Sequence, residues 1–190
     1  MKASFGFAIA SALLVFAQAS SAASVPIAGA LAASDPVFNR PLSGNPPSGL
    51  SAAGTAVSYD AYPFFVTGAD TYSLQTLSAA FAPGTADDTF IVLYQTAFNA
   101  AAPLTNVLQA DDDAGPGSLS LITRALNPGI QYFLVFTSFS NGAFGNYTGS
   151  IDNAGAGTAV LGVVPEPSTA LMMLGALAAG GLLAKRRRPA

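Results

Sequence analysis

The sequence contains no cysteine and no histidine, and these two absences exclude several kinds of chemistry. Without cysteine, the chain has no disulfides, no thiol nucleophile and no thiolate ligand for a metal. Without histidine, it has no Ser-His-Asp triad, no imidazole acid or base, and no histidine-ligated zinc. Its stability must therefore come from a hydrophobic core, and any catalysis would have to rely on carboxylates.

Cations are scarce in the central part of the chain, residues 24–164. This part contains two arginines, Arg40 and Arg124, no lysine and no glutamate, against nine aspartates. Its net charge of about −7 repels phosphate backbones, which excludes nucleic acid as a partner. An acidic surface rich in Ser, Thr, Asn and Gly suits an extracellular matrix, or a cation such as calcium.

The first 23 residues have the pattern of a secretory signal peptide. Lys2 supplies a positive charge, residues 5–17 form a short apolar run, and small residues follow. Small-residue cleavage contexts end at Ala19, Ala22 and Ala23, and we favour cleavage by signal peptidase after Ala22 or Ala23. The alternative is a buried N-terminal helix, since the run is too short to span a bilayer comfortably.

The C-terminal residues 163–190 combine three features in a fixed order. The first is the tripeptide Pro165, Glu166 and Pro167. Its prolines keep the backbone extended, because proline continues neither a helix nor a strand. The second is an apolar stretch over 168–184, about 25 Å long as a helix and marginal for a bilayer core of about 30 Å. The third is a set of four cations, Lys185, Arg186, Arg187 and Arg188. They predict a transmembrane helix with a cytoplasmic end, which leaves everything before Pro165 outside.

This ordered triple closely resembles the PEP-CTERM sorting tail. The resemblance implies recognition by an exosortase, a membrane-embedded transpeptidase-like enzyme, and cleavage near residues 165–167. It also implies a Gram-negative bacterium that makes exopolysaccharide, an inner-membrane intermediate, and a product at the cell surface or in the biofilm matrix. The alternative is a single-span anchor that is never cut.

The region between the two ends has the pattern of an all-β domain. Residues 24–55 show no periodicity and are rich in Ala, Pro, Ser and Gly, so we expect a low-complexity lead-in or an edge segment there. After it, short β-type runs alternate with turn residues. They cover 57–62, 64–67, 71–78, 89–94, 118–123, 130–138 and 147–151. The pattern predicts an antiparallel two-sheet sandwich, jelly-roll-like, over residues 56–162.

Part of this region also resembles a recurrent secreted domain. The pattern D-x-F-[IVL]-x-L-Y occupies residues 88–94, A-D-D-D occupies 110–113, and L-x-P-G-x-x-Y-x-L-V occupies 126–135. Similar patterns occur in pre-peptidase C-terminal (PPC-like) and CUB-like jelly rolls. The resemblance implies a jelly-roll fold and a non-catalytic accessory or binding role.

Adjacent carboxylates form the main candidate site. Asp111, Asp112 and Asp113 repel one another, and that repulsion falls if a cation binds. Calcium prefers clustered oxygens, and Asp87 and Asp88 would complete a site if the loops between strands converge. The spacing does not match an EF-hand loop. The alternatives are a solvated acidic turn, or paired carboxylates for glycoside hydrolysis.

Aromatic residues suggest a second, carbohydrate-binding site. Phe139 and Phe144 flank an apparent loop over residues 140–142, where exposed rings would stack on the sugars of an exopolysaccharide. The alternative is that they belong to the core, as alternation along the strands predicts for most of the other aromatics.

Together these features predict a non-enzymatic protein of the surface or extracellular matrix. Its expected partners are signal peptidase and the secretion machinery, an exosortase, and the membrane before processing. The alternatives are a secreted hydrolase that uses carboxylates alone, and a permanently anchored envelope protein.

Overall fold

A computed structural model describes residues 23–82 and 86–164, and the regular structure of this part is entirely β. Its ten strands are β1 (Ala23–Leu31), β2 (Val37–Phe38), β3 (Val57–Val66), β4 (Asp70–Phe81), β5 (Thr89–Gln95), β6 (Val107–Asp111), β7 (Leu121–Leu126), β8 (Tyr132–Ser138), β9 (Gly145–Asn153) and β10 (Ala159–Leu161). The described residues contain no helix that could cross a membrane. The predicted signal peptide (apart from Ala23) and the predicted transmembrane helix lie outside the described residues.

The strands form two antiparallel sheets that share one hydrophobic core. Sheet I has the order β1-β9-β4-β7, and sheet II has the order β10-β3-β8-β5-β6, with β2 paired to β3. Leu74 and Ile151 from sheet I pack in the same buried cluster as Leu93 and Leu134 from sheet II. The all-β, antiparallel architecture expected from the sequence is confirmed.

Strand β5 is buried on both faces, as its continuous apolar run predicts. Ile91 and Leu93 face the shared core, whereas Phe90 and Val92 face a second cluster on the outer side of sheet II. The chain segments before β3 and after β5 cover that second cluster, where Phe98 contributes an aromatic ring. These covering segments also bring Arg40 close to the start of β5.

Strand β1 lies in the segment that the sequence predicts as a low-complexity lead-in. It pairs with β9 along its whole length, and Ile27 and Leu31 belong to the shared core. The β-domain of the structure thus begins at Ala23 and not at the predicted boundary of residue 56. Of the two alternatives for this segment, an edge strand describes β1. Pro26 is compatible with that position because an edge strand needs no hydrogen bond on its open side.

The strand register defines two ends of the sandwich. In the β5–β8 pair, Thr89 lies opposite Ser138, and Gln95 lies opposite Tyr132. The two ends are therefore about 20 Å apart, measured along β5. We call the end with Thr89 and Ser138 the distal end. The opposite end, where β1 begins at Ala23 and the described chain stops at residue 164, we call the proximal end.

Candidate functional site

Three carboxylates converge at the distal end. Asp88 immediately precedes β5, and Asp112 and Asp113 immediately follow β6, its antiparallel neighbour. The start of one strand and the end of its antiparallel partner lie at the same end of a sheet. The residues that precede β5 and those that follow β6 are therefore close together. One carboxylate oxygen from each residue lies within 4.8 Å of the other two. We call this group the carboxylate cluster.

Two oxygens of the carboxylate cluster lack hydrogen-bond partners. Oδ1 of Asp88 and Oδ1 of Asp112 are buried, and nothing in the described part of the chain donates a hydrogen bond to either. Burial, together with the charges of Asp113 and Asp88, raises the pKa of Asp112 to about 6. Burial and Asp113 also raise the pKa of Asp88. Buried polar atoms are normally satisfied, so this pair of oxygens is suited to an additional electropositive ligand.

Arg40 partly neutralises the carboxylate cluster. Its guanidinium lies between the rings of Phe90 and Phe139, at 4.0 and 4.4 Å from their centroids. Nε donates to the Phe139 carbonyl at 2.9 Å, and the residue is 2% exposed. Burial lowers the pKa of Arg40, and the negative charges of Asp112 and Asp88 oppose that shift. The cluster therefore faces one fixed positive charge.

The other two aspartates of the predicted calcium site do not join the cluster. Oδ1 of Asp87 accepts a hydrogen bond from the Phe81 amide at 2.6 Å. Oδ2 of Asp111 accepts from the amides of Ala114 and Leu121 at 3.1 and 2.8 Å. These two carboxylates accept hydrogen bonds from nearby backbone amides. Of the five aspartates in the predicted calcium site, three therefore converge and two do not.

The two phenylalanines proposed for sugar stacking are half-buried. The Phe139 ring packs against the second cluster and is covered on one side by Arg40. Phe144 lies just before β9, and its carbonyl accepts a hydrogen bond from the Ala82 amide. Neither ring is among the large exposed hydrophobic side chains of the described residues.

At the proximal end, Gln131 holds the segment that leads to the C-terminal tail. Its Nε2 donates to the carbonyls of Phe64, Tyr132 and Gly162 at 2.9, 3.0 and 3.2 Å. Its Oε1 accepts from the Val164 amide at 2.7 Å. The domain therefore fixes the chain up to the residue that precedes Pro165.

Sequence reasoning missed the roles of Arg40 and Gln131. A signal for Arg40 was available, because one of only two cations in a strongly acidic region needs a carboxylate partner. Gln131 carries no comparable signal. Its contacts with residues 162–164 arise because β10 and β8 both pair with β3, which brings the chain after β10 close to the start of β8.

Residues 163–188 match the family described as the PEP-CTERM protein-sorting motif. No curated protein matches the chain. The match covers the Pro-Glu-Pro tripeptide, the apolar stretch and the cations through Arg188. The chain therefore ends in a PEP-CTERM sorting motif, which indicates an exosortase-sorted protein exported to the cell envelope or surface.

Proposed function

We propose that this chain is a non-enzymatic surface or extracellular-matrix protein that an exosortase cleaves near residues 165–167, and whose β-domain binds calcium. The fold that carries this function is a jelly roll. Two observations support this topology: the order β1-β9-β4-β7 in one sheet against β3-β8-β5-β6 in the other, and the alternation of the chain between sheets. In such a domain the loops at the ends of the strands supply the binding residues.

The observation that carries calcium binding is the carboxylate cluster with its two unpartnered oxygens. Calcium is bound by about six to eight oxygen ligands, chiefly carboxylates, carbonyls and water. Three ionised carboxylates beside the Arg40 cation leave a local charge of about −2, which one divalent ion neutralises. Asp113 is exposed, so an ion has a direct route from solvent.

The hydrolase alternative has a weaker basis. A raised pKa at Asp112 suits a general acid. The two carboxyl groups of a glycoside hydrolase, however, are usually about 5 to 9 Å apart, because a glycosidic bond or a water must fit between them. The oxygens of the cluster lie within 4.8 Å, which favours a shared cation. Exopolysaccharide binding through Phe139 remains a prediction without support from ring exposure.

Calcium binding is tested by titrating calcium into the mature protein, recovered from its host and freed of metal, in a calorimeter. We expect one site with a Kd of about 10⁻⁴ to 10⁻³ M, as in other extracellular modules. Asp112→Asn should abolish binding. Asp87→Asn is the matched control, because Asp87 bonds backbone nearby but lies outside the cluster. Absence of binding by the unmodified protein at several millimolar calcium would refute this part of the proposal.

Processing is tested by the intact mass of the protein from the envelope and medium of its host. A species that begins near Ser24 and ends near Pro165 supports both cleavage events. A species that retains residues through Ala190 supports the permanently anchored alternative. Replacing both Pro165 and Pro167 with Ala should leave the tail attached if the exosortase reads this tripeptide.

A further inference from the structure

A cavity of about 500 Å³ opens at the proximal end, where β1 begins. Its walls include Ala23 and Ser24 from β1, Asp70 from β4, and Asp152 from β9. These strands are neighbours in sheet I, with Asn153 of β9 paired to Ala23 on one side. The first residue of the first strand therefore shares a cavity with two carboxylates. We call this the terminal cavity.

The terminal cavity is acidic and has no cationic side chain among its described lining residues. Burial alone would raise the pKa of Asp152, but hydrogen bonds from Ser150, Ser24 and Gln75 outweigh burial and lower it. The Gln75 and Ser150 bonds to Oδ2 are 2.7 and 2.6 Å long. Asp152 is therefore ionised and held in a fixed position.

Both arginines of the described residues have partners elsewhere. Arg40 lies at the distal end between two phenylalanine rings. Arg124 donates to Asn45 Oδ1 at 2.6 Å and to the Leu108 carbonyl at 3.3 Å. Residues 24–164 contain no lysine, so no other side chain of that region can supply a cation to the terminal cavity.

We propose that the terminal cavity is the binding site for the α-ammonium group that signal peptidase creates by cleaving after Ala22. This inference rests on the proposed export of the chain and removal of its signal peptide. Cleavage at this position makes Ala23 the first residue, and leaves its pairing with Asn153 and the Ser24 contact with Asp152 intact. The ammonium then shares the terminal cavity with Asp70 and Asp152 and becomes the third cation of the mature domain.

The site couples maturation to folding. Before cleavage, the nitrogen of Ala23 is part of a neutral peptide bond. After cleavage it is a charged group with three donors, and charge-assisted hydrogen bonds to carboxylates are stronger than neutral ones. Removal of the signal peptide therefore adds an ionic contact at the open end of edge strand β1, where a strand would otherwise fray.

The test measures how fast the α-amine of the mature protein reacts with acetic anhydride as a function of pH, with the product identified by mass spectrometry. A mature domain without the tail has no lysine, so the α-amine is its single reactive amine. We expect its pKa to exceed the usual value of about 7.7 to 8.0 by about one unit. Acylation at pH 7.5 should then be about sevenfold slower than in an unstructured peptide with the same first residues.

Variants separate ion pairing from simple burial. Asp152→Asn and Asp70→Asn should each restore part of the reactivity, whereas Asp87→Asn, at the distal end and outside the carboxylate cluster, should leave it unchanged. Peptide-like reactivity of the unmodified protein overturns the proposal, and so does slow reaction that persists in both proximal variants. If Asp152→Asn does not fold, Asp70→Asn and the unmodified protein still decide the question.

The intact mass of the same sample distinguishes a failure of the assigned ammonium site from a failure of the proposed export. A mature chain that begins at a residue other than Ala23 overturns the assigned ammonium while leaving export intact. A chain that retains its signal peptide contradicts the proposed export itself.

Discussion

At the distal end, Asp112 lies among other carboxylates and one of its oxygens is buried without a donor; at the proximal end, Asp152 accepts hydrogen bonds from three side chains. The pKa of Asp112 is raised to about 6, and the pKa of Asp152 is lowered. Both side chains are partly buried, so burial alone does not explain the difference. Hydrogen-bond donors stabilise Asp152 as an anion, whereas Asp112 is buried among other carboxylates that disfavour its charged form.

This difference assigns different roles to the two ends. Carboxylates that accept hydrogen bonds from the protein stabilise its local structure. Carboxylates without such donors are available to an external cation. The distal end is the candidate ligand site for this reason. The proximal end, where hydrogen bonds hold Gln131 and Asp152 in place, organises the chain where it enters and leaves the domain.

The largest effect is expected from Arg40→Ala. The substitution removes the one positive charge that faces Asp88 and Asp112 and the packing between Phe90 and Phe139. The free energy of unfolding in urea should fall by about 3 kcal/mol. Arg124→Ala, the matched control, removes a partly exposed arginine and should cost less than about 1 kcal/mol. A similar loss in both variants would show that Arg40 has no special role at the distal end.

The second prediction concerns pH and Asp112. Its pKa in the folded state is raised to about 6, so between about pH 4 and pH 6 the folded protein binds a proton that the unfolded chain does not. Stability of the calcium-free protein should therefore rise as pH falls from 7 to 5, by about 1 kcal/mol or less after allowance for solvent screening. Asp112→Asn should be more stable at pH 7 and lose this pH dependence. An unchanged profile in the variant would assign the titration to another group.

The third prediction concerns Asp152 and has the opposite sign. Because its folded pKa is lowered, its contribution to stability is present above the unfolded pKa of about 3.9 and is lost as pH falls below about 4. Asp152→Asn should lower the free energy of unfolding at pH 7 by about 1 kcal/mol. Thermal unfolding of both proteins between pH 2 and pH 7 tests this, and the difference between them should shrink toward pH 2.

The smallest global effect is expected from Gln131→Ala. Loss of its bonds to Gly162 and Val164 should raise amide hydrogen exchange across residues 162–164 by about tenfold. The free energy of global unfolding should change by less than about 1 kcal/mol, because these residues lie at the end of the domain. Gln109→Ala is a control on the same sheet. Equal exchange in the two variants would show that Gln131 does not hold this segment.

The sequence predicts the strands with strong apolar patterns and misses those without them. The runs at 89–94 and 130–138 correspond to β5 and β8, because apolar side chains there fill both faces of a central strand. Strand β1 escapes prediction because Pro26, Gly29 and three alanines give it little β propensity. It is a strand because β9 supplies a partner and the core accepts Ile27 and Leu31.

The candidate site is only partly readable from the sequence. The acidic residues at 111–113 stand out, but the sequence does not say which of them converge with Asp88. That depends on the β5–β6 register, in which Ile91 pairs with Asp111, and the sequence pattern does not predict strand β6. The burial of Arg40 depends on long-range contact with Phe139 and has no local pattern.

The pairing of β1 with β9 joins the first strand of the described chain to its second-to-last strand. If the chain crosses the membrane from its N-terminus, β1 emerges first, but its neighbour in sheet I is completed only when Asn153 has followed. Such a non-local pairing cannot form early, because the loop that it closes includes almost the whole domain. In that case β1 gains its partner only after residues up to Asn153 have crossed, when few residues remain before the sorting motif at 163–188.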